Sequence, residues 1–515
     1  FDDSPVNEAG SITISNTNTI DYQGKLLLTY NQVFDNGTLI SLIAGGNIEH
    51  SDLNSNGYTG IGIFSDKLAH PSFATQYPSE RTPTGSQDVE RTLGGFINLN
   101  TIYKDRYFAD ISIRYEGSSK FGADQRYAPF WSLGLGWNIH NEKFFHATST
   151  DRLKLRASVG YLGNASFSPY QAITTYEYRA ENLYDNGIGA VPITIGNADL
   201  KWERTLNYNI GLDVNLFNNR FDMTLDYYKK ITDNLLLSVT KAPSVGVGTA
   251  TENMGKIDNS GIEFRTRIIA IRNSNWDWTL SLTASHNKNK IIQISNVLKE
   301  QNEKNNAEKS RAPMPVYEEG ESISAVKAVQ SGGIDPATGR EIFIGKDGKP
   351  TFTYDYRDKI VFGDSDPKVY GILSSYLTYK NLQLNMMFDY KLKATVYNQT
   401  LVTRVEGSSP YNNADERVFK SRWKEVGDQV KYKNIADQSI PDQTSRFIED
   451  EYTLSLRSLS LSYDFVPAIY RKLHLSRLRV QLMTNDLFRL STIKQERGFD
   501  YPFARSYQLS ISATF

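Results

Sequence analysis

The chain has 515 residues, of which only 39% are hydrophobic, and its formal net charge is −1 at pH 7. The near-neutral charge argues against a protein that binds nucleic acid through its phosphates. Cysteine is absent, which excludes disulfides, thiol catalysis and cysteine-ligated metal sites. No apolar run reaches the roughly 18 residues that a transmembrane helix requires.

The dominant period of the sequence is two, which predicts β-strands. In chain order, the predicted strands cover 26–30, 39–48, 96–103, 108–115, 131–140, 151–161, 210–216, 221–227, 260–270, 276–287, 369–380, 382–393, 452–465, 476–488 and 503–515. Between several of them stand turn residues, such as Asn36-Gly37, Lys104-Asp105 and Asn218-Asn219. No segment of useful length has a helical period, so the predicted fold class is all-β.

Tight and long connections alternate along the chain. The tight ones lie at 34–37, 104–105, 218–219, 271–275 and 380–381. The long, polar ones lie at approximately 49–87, 162–203, 233–259, 288–368 and 394–451. Short periplasmic turns and long extracellular loops are typical of outer-membrane proteins, and the low aliphatic content suits a barrel with a wet lumen. We therefore predict a transmembrane antiparallel β-barrel.

The last segment is a regular amphipathic strand. One set of alternate residues is apolar or aromatic and is predicted to face lipid: Tyr507, Leu509, Ile511, Ala513 and Phe515. The polar residues between them are predicted to face the lumen. The alternative, an edge strand of a soluble sheet, would leave an exposed apolar edge. The alternation therefore favours a barrel-assembly strand that ends at a membrane interface.

The strand count is odd, whereas closed bacterial barrels have an even number of strands. If the last strand runs toward the periplasm, the first strand, near Leu26, does so too. A complete barrel begins with a strand of the opposite direction. We therefore expect residues 1–515 to form the C-terminal portion of a larger barrel.

Many short segments resemble the SusC/RagA family of TonB-dependent outer-membrane transporters of Bacteroidetes-type bacteria. They occur in the expected order at 105–107, 115–122, 126–132, 136–137, 155–160, 163–164, 197–203, 253–257, 259–263, 478–480, 485–488 and 501–507. The resemblance implies a barrel of 22 strands in all, of which about 15 lie in this chain. The resemblance also implies a plug domain, a TonB box and first barrel strands, which we expect to lie outside residues 1–515, either in the same polypeptide or in a second chain.

The resemblance also implies a function and partners. The expected activity is TonB-dependent uptake of an oligosaccharide or oligopeptide, in complex with a SusD-like surface lipoprotein that acts as a lid. The other expected partners are TonB, the remaining barrel and plug, and outer-membrane lipid. A passive porin or a surface adhesin built on a barrel is the alternative.

Loop aromatics are the candidates for ligand contact, because their rings can stack on sugars: Tyr170, Tyr176, Tyr178, Tyr184 and Trp423. The alternative is that they pack the loops against one another or against the lid. The remaining tryptophans are predicted to lie in interfacial girdles or in rim packing. They are Trp131, Trp137, Trp202, Trp276 and Trp278.

No catalytic or metal-binding pattern is predicted. His140 and His146 are the only close histidine pair, and their spacing is not that of a metal motif. Four loop aspartates lack the spacing of a calcium loop: Asp335, Asp347, Asp355 and Asp358. No nucleophile, base and acid stand together, so neither an enzyme nor a cofactor is expected.

Overall fold

The computed structural model describes residues 10–63, 65, 67, 70–78, 83–184, 187–240, 246–307, 313–409, 415–437, 439–494 and 505–515. In chain order, its strands are β1 (Gly10–Val33), β2 (Thr38–Ile63), β3 (Thr84–Tyr103), β4 (Tyr107–Ser118), β5 (Tyr127–Asn138), β6 (Thr150–Asn164), β7 (Thr175–Tyr184), β8 (Gly187–Thr194), β9 (Glu203–Leu216), β10 (Phe221–Asp233), β11 (Leu236–Thr240), β12 (Thr249–Asn253), β13 (Lys256–Arg272), β14 (Trp276–Gln293), β15 (Ala325–Ile334), β16 (Glu341–Ile344), β17 (Pro350–Thr351), β18 (Lys359–Asp364), β19 (Val369–Tyr379), β20 (Leu382–Tyr397), β21 (Ile448–Asp464), β22 (Arg477–Ser491) and β23 (Tyr507–Thr514). Its α-helices are α1 (Asn296–Ala307) and α2 (Pro467–Tyr470).

Fifteen strands form one sheet, which we call the wall. Their order is β1-β2-β3-β4-β5-β6-β9-β10-β13-β14-β19-β20-β21-β22-β23, and each pair of neighbours is antiparallel. The all-β fold and the predicted count of about 15 strands are confirmed. Strands outside this chain stay a prediction.

The register divides the wall into an apolar outer face and a polar inner face. Leu225, Phe264 and Ala284 are aligned in one row across β10, β13 and β14. The outward side chains remain open, since Ile210 is 57% exposed and Leu135 is 54% exposed. A sheet that exposes its apolar side chains and keeps its polar ones inside matches a transmembrane barrel.

The tight turns have the backbone that their sequences predict. Lys104 and Asp105 have φ angles of 52° and 55°, and those of Asn218 and Asn219 are 56° and 61°. Positive φ at successive turn residues suits the right-handed twist of a hairpin. The strands flanking these turns therefore meet in register.

Aromatic side chains gather where the tight turns lie, at what we call the short-turn end. Tyr107 stacks between Tyr103 and Trp137, with ring centroids 6.4 and 6.5 Å apart. The Tyr107 hydroxyl and the Trp137 indole N–H both donate to Glu142, at 2.7 and 3.0 Å. Such a belt of amphipathic rings is typical of a membrane interface.

The expectation that no helix interrupts the strands is wrong for α1. Ser295 caps this helix, since its hydroxyl accepts the amide of Leu298 at 3.1 Å. Asn302 then exchanges hydrogen bonds with the backbone of Tyr317. The helix carries few apolar residues, so it has no apolar period that the sequence could show. None of the helices in the described part of the chain is both long and apolar enough to span a membrane.

Most strands of the wall are longer than predicted, and the first three extend furthest beyond their predicted bounds. β1, β2 and β3 have 24, 26 and 20 residues, and β2 continues to Ile63 through most of the first half of the predicted loop at 49–87. Their far ends pair polar residues, such as Asn16 with Asn56 and Asn18 with Asn54. We call the far ends of these three strands the polar ribbon. At Asn16 and Asn18 the alternation of apolar and polar residues in β1 is interrupted, because polar side chains lie on both faces of the ribbon there.

Candidate functional site

The long connections emerge at the opposite end of the wall, which we call the long-loop end. Two of them form a folded unit, the loop body, which comprises β15–β18, the π-helix Leu401–Glu406 and residues 415–437 and 439–447. A small apolar core holds it together: Leu401, Val402, Val405, Tyr432 and Phe447. The loop body is thus an ordered platform at the mouth of the wall.

A buried ion triad joins the two connections of the loop body. Arg446 binds Glu341 and Glu406, each at 2.5 Å, and all three side chains are less than a tenth exposed. Burial by itself lowers the pKa of Arg446, but its hydrogen bonds and ion pairs with Glu406 and Glu341 outweigh this and raise it. Arg446 therefore keeps its charge, and its ion pairs tie β16 to the π-helix.

Arg422 has a different environment. Its guanidinium donates to the carbonyls of Val418, Lys433 and Glu406 at 2.8, 3.1 and 2.8 Å, and to that of Val405. Burial lowers the pKa of this arginine. The side chain replaces water as the hydrogen-bond partner of four carbonyls and thereby fixes the loop backbone.

Two lysines lie on one face of the β15–β18 pair. Lys327 binds Glu321 and Glu318, at 2.5 and 2.9 Å. Lys359, in the neighbouring strand, donates to Asn306 of α1 at 3.5 Å. Burial, and after it the charge of Lys327, lowers the pKa of Lys359 to about 8.

We expect Lys359 to react with an amine-acylating reagent with a half-maximal rate near pH 8. Because the folded pKa lies below the ordinary value near 10.4, the unfolded chain binds more protons between these values, and the stability of the loop body rises with pH there. Mass spectrometry of labelled peptides at several pH values measures the midpoint. A midpoint no lower than that of the same residue in urea would contradict the expectation.

The inner face of the wall carries paired charges. Arg156 on β6 donates to Asp213 of β9 at 2.9 Å and to Asp226 of β10 at 3.2 Å. Arg114 on β4 donates to Glu116 at 2.7 Å and to Asn47 of β2 at 3.2 Å. The lumen is thus polar and locally neutralised, which suits a passage for polar solutes.

A second aromatic cluster lies at the long-loop end, near the first residues of β5 and β9. Trp202 stacks on Phe121 with ring centroids 4.4 Å apart and meets Phe130 edge-on at 5.2 Å. Its indole N–H donates to the carbonyl of Arg126 at 2.9 Å. Trp202 therefore has the rim-packing contacts expected from the sequence.

The loop aromatics proposed as ligand contacts lie in different environments. Tyr176 and Tyr178 are 64% and 79% exposed and share one face of the β7–β8 hairpin. The Tyr170 hydroxyl accepts the amide of Val89 at 3.0 Å, and Trp423 donates to the carbonyl of Pro336 at 3.0 Å. The side chain of Tyr184 lies outside what the structure describes. Tyr176 and Tyr178 have open rings, whereas Tyr170 and Trp423 make the contacts of loop packing.

The terminal strand lies at one edge of the wall. Leu509 and Ile511 pair with Leu482 and Val480 of β22, and both are about two-thirds exposed on the outer face. Phe515 is 93% exposed at the short-turn end. The placement of the strand agrees with contact with lipid, and its role in assembly stays a prediction.

Sequence reasoning missed the residues that hold the loop body. Glu341, Glu406, Arg422 and Arg446 belong to no motif, and the triad spans 105 positions along the chain. Only their location in long polar connections pointed to this region. Among the described residues, no group of three or more His, Asp or Glu side chains has the arrangement of a metal site.

Comparison with known proteins gives a family for this architecture. The family model of the TonB dependent receptor-like β-barrel matches residues 2–482. TonB-dependent receptor P3 of Formosa agariphila is 26% identical over 96% of this chain and 50% of its own length. TonB-dependent receptor SusC of Bacteroides thetaiotaomicron is 32% identical over 39% of this chain and 21% of its own length. The chain therefore spans about half the length of the first of these relatives.

Solved structures show the same fold. The RagAB peptide transporter superposes with a TM-score of 0.82 at 21% identity, covering 94% of this chain and 53% of that one. A RagAB peptide importer in a closed-closed state superposes with a TM-score of 0.81 over 98% of this chain and 56% of that one. The family model covers almost the entire wall, and so this chain belongs to the TonB-dependent receptor family, as a SusC/RagA-like β-barrel of the outer membrane.

Proposed function

We propose that this chain forms the wall of an importer that takes up a bulky polar nutrient, an oligosaccharide or an oligopeptide, with energy delivered through TonB. The observation that carries the proposal is the family match over a wall with a polar, charge-paired lumen. The likeness to a peptide transporter, RagAB, supports a solute of oligomer size. A transport role, rather than a catalytic one, is proposed.

The long-loop end is proposed to face the cell exterior and the short-turn end the periplasm. Tight periplasmic turns and long outer loops are the rule for bacterial barrels. A SusD-like lipoprotein is proposed to cover the long-loop end, where the loop body offers an ordered surface. The RagAB structures, as assemblies of the same barrel fold, support such a partner.

An uptake experiment tests this proposal. Cells of the native host that carry the full-length gene, or its deletion, receive fluorescent oligosaccharides and oligopeptides of graded length. We expect deletion to abolish uptake of one class, and a proton uncoupler or loss of TonB to abolish it equally. Uptake that continues without proton motive force and TonB would instead support the alternative of a passive porin.

The exposed tyrosines of the β7–β8 hairpin are proposed to contact the solute. The double substitution Tyr176→Ala with Tyr178→Ala is expected to raise the solute concentration for half-maximal uptake about three- to tenfold. This is the size of effect that the loss of aromatic contacts produces. Both rings are open, so stability should not change. Phe419→Ala is the matched control, because this ring is 68% exposed at the same end. Equal effects of the two changes would contradict a specific role of the hairpin.

A further inference from the structure

The outer face of the wall carries a local group of lysines at its long-loop end, which we call the lysine patch. It lies on β10, β13 and β14 and consists of Lys229, Lys256, Lys288 and Lys290. Ser260 pairs with both Lys229 and Lys288, which places these two lysines in one row. Asp258 and Lys290 lie in the next row. The patch is therefore a surface about three strands wide, with strands spaced about 4.8 Å apart.

The lysine patch lies directly above the apolar band. Two rows below Lys288, the wall carries Leu225, Phe264 and Ala284. The row between them holds Tyr227, Ile262 and His286. The side chains thus change from an apolar row, through a row that contains Tyr227 and His286, to the cationic rows, and such a change marks the boundary between lipid tails and headgroups.

The patch keeps excess positive charge. Lys229 binds Asp258 at 3.1 Å, and Lys256 binds Asp233 at 3.0 Å. Lys288 and Lys290 are exposed, and no carboxylate among the described residues lies within ion-pair distance of either. The His286 ring is held by the carbonyl of Lys368 at 2.6 Å. Two ammonium groups therefore remain available to an anion at the headgroup level.

On β6 and β9, the two rows that contain Lys229 and Lys290 carry no lysine. Across β6 and β9, the row of Lys229 continues into Tyr208 and Val159. The row of Lys290 continues into Leu206 and Tyr161. The pairing of β14 with β19 ends at Ser285, so β14 rises beyond its neighbour where the two available lysines lie. In the rows of Lys229 and Lys290 the lysines therefore lie on β10 and β14, while the row of Lys256 continues into Arg204 of β9.

We infer that the lysine patch binds the phosphate groups of a phosphorylated glycolipid of the outer leaflet. Lysine ammonium groups bind phosphate as point charges. The apolar rows below the patch would then contact the acyl chains, so that one surface meets both parts of an amphiphile. The inference rests on the proposed outward orientation of the long-loop end.

The test measures lipid that remains bound to the full-length protein purified from native outer membranes in mild detergent. Mass spectrometry gives the amount of phosphorylated glycolipid per protein. We expect Lys288→Glu with Lys290→Glu to reduce it roughly tenfold or more, given the attraction of each basic residue to an anionic surface. Lys143→Glu with Lys472→Glu is the matched control, because these exposed lysines lie at the short-turn end and give the same change in charge.

Each outcome decides the inference. Retention of wild-type amounts by the Lys288 and Lys290 variant would overturn it, and so would an equal loss in the control. Equal binding of a dephosphorylated glycolipid would show that acyl contacts alone are responsible. Labelling of Lys288 and Lys290 on intact cells with a membrane-impermeant amine reagent tests the orientation separately. A wrong orientation, and with it a failure of the proposed function, is thus distinguishable from a failure of lipid binding.

Discussion

Leu509→Arg is expected to destabilise the assembled barrel by about 2–4 kcal/mol, the cost of an arginine at the bilayer midplane. Leu509 is 66% exposed on the outer face of β23. It lies six residues before Phe515, about 20 Å along the strand from the membrane interface. Urea titration of the full-length protein in lipid vesicles measures the change. On SDS gels of unboiled samples, the band of the folded barrel, which shifts on boiling, should be much weaker than in the wild type.

Ser510→Arg is the control for this change. Ser510 is the next residue of the same strand, and it pairs with Gln481 on the inner face. A charge there enters a polar lumen and should cost much less. If both variants lost equal stability, the assignment of Leu509 to the lipid face would be wrong.

Arg446→Ala is expected to destabilise the loop body by about 3–5 kcal/mol, because it leaves buried carboxylates without their counterion. Those carboxylates, Glu341 and Glu406, are only 3% and 2% exposed. Hydrogen exchange of the amides at 401–406 and 444–447 reports the loss locally. The amides of the wall should retain their protection from exchange, since the triad lies in the loop body and not in the membrane-spanning strands.

Two comparisons separate this effect from a general loss of charge. Arg357→Ala removes the pair with Asp355, in which the arginine is 75% exposed, and should cost no more than about 1 kcal/mol. Replacing Arg446, Glu341 and Glu406 together by methionine should restore most of the stability, because no unpaired charge of the triad then remains buried. An Arg446→Ala effect as small as that of Arg357→Ala would refute the role of the triad.

The wall was predictable because the sequence patterns that specify its strands and turns lie within short stretches of the chain. Alternation at Phe221, Met223, Leu225 and Tyr227 reports one lipid face and one wet face, and the turn at Asn218-Asn219 fixes the hairpin. Each signal lies within about ten residues of chain. That is enough for a strand and its connection, and the strand count followed from it.

The loop body was not predictable by the same means. Its core joins Val402 to Phe447, and its triad joins Glu341 to Arg446, so these contacts are non-local and have no period. The helix α1 was missed because its stability comes from the Ser295 cap and from the Asn302 contacts rather than from an apolar face. Of the proposed ligand contacts whose side chains the structure describes, Tyr176 and Tyr178 have open rings, and their contact with a ligand stays a prediction.

The polar ribbon has a kinetic consequence for folding. Burial normally selects the pairing register of a strand, because a slip of one residue would turn apolar side chains toward water. Between Asn16 and Asn56, or Asn18 and Asn54, such a slip exchanges polar side chains for polar ones. At these positions the register is therefore expected to follow from the membrane-embedded halves of the same strands. The strands of the ribbon are expected to pair late in folding, starting at the bilayer and progressing away from it. By then, insertion has already fixed the register of the strands.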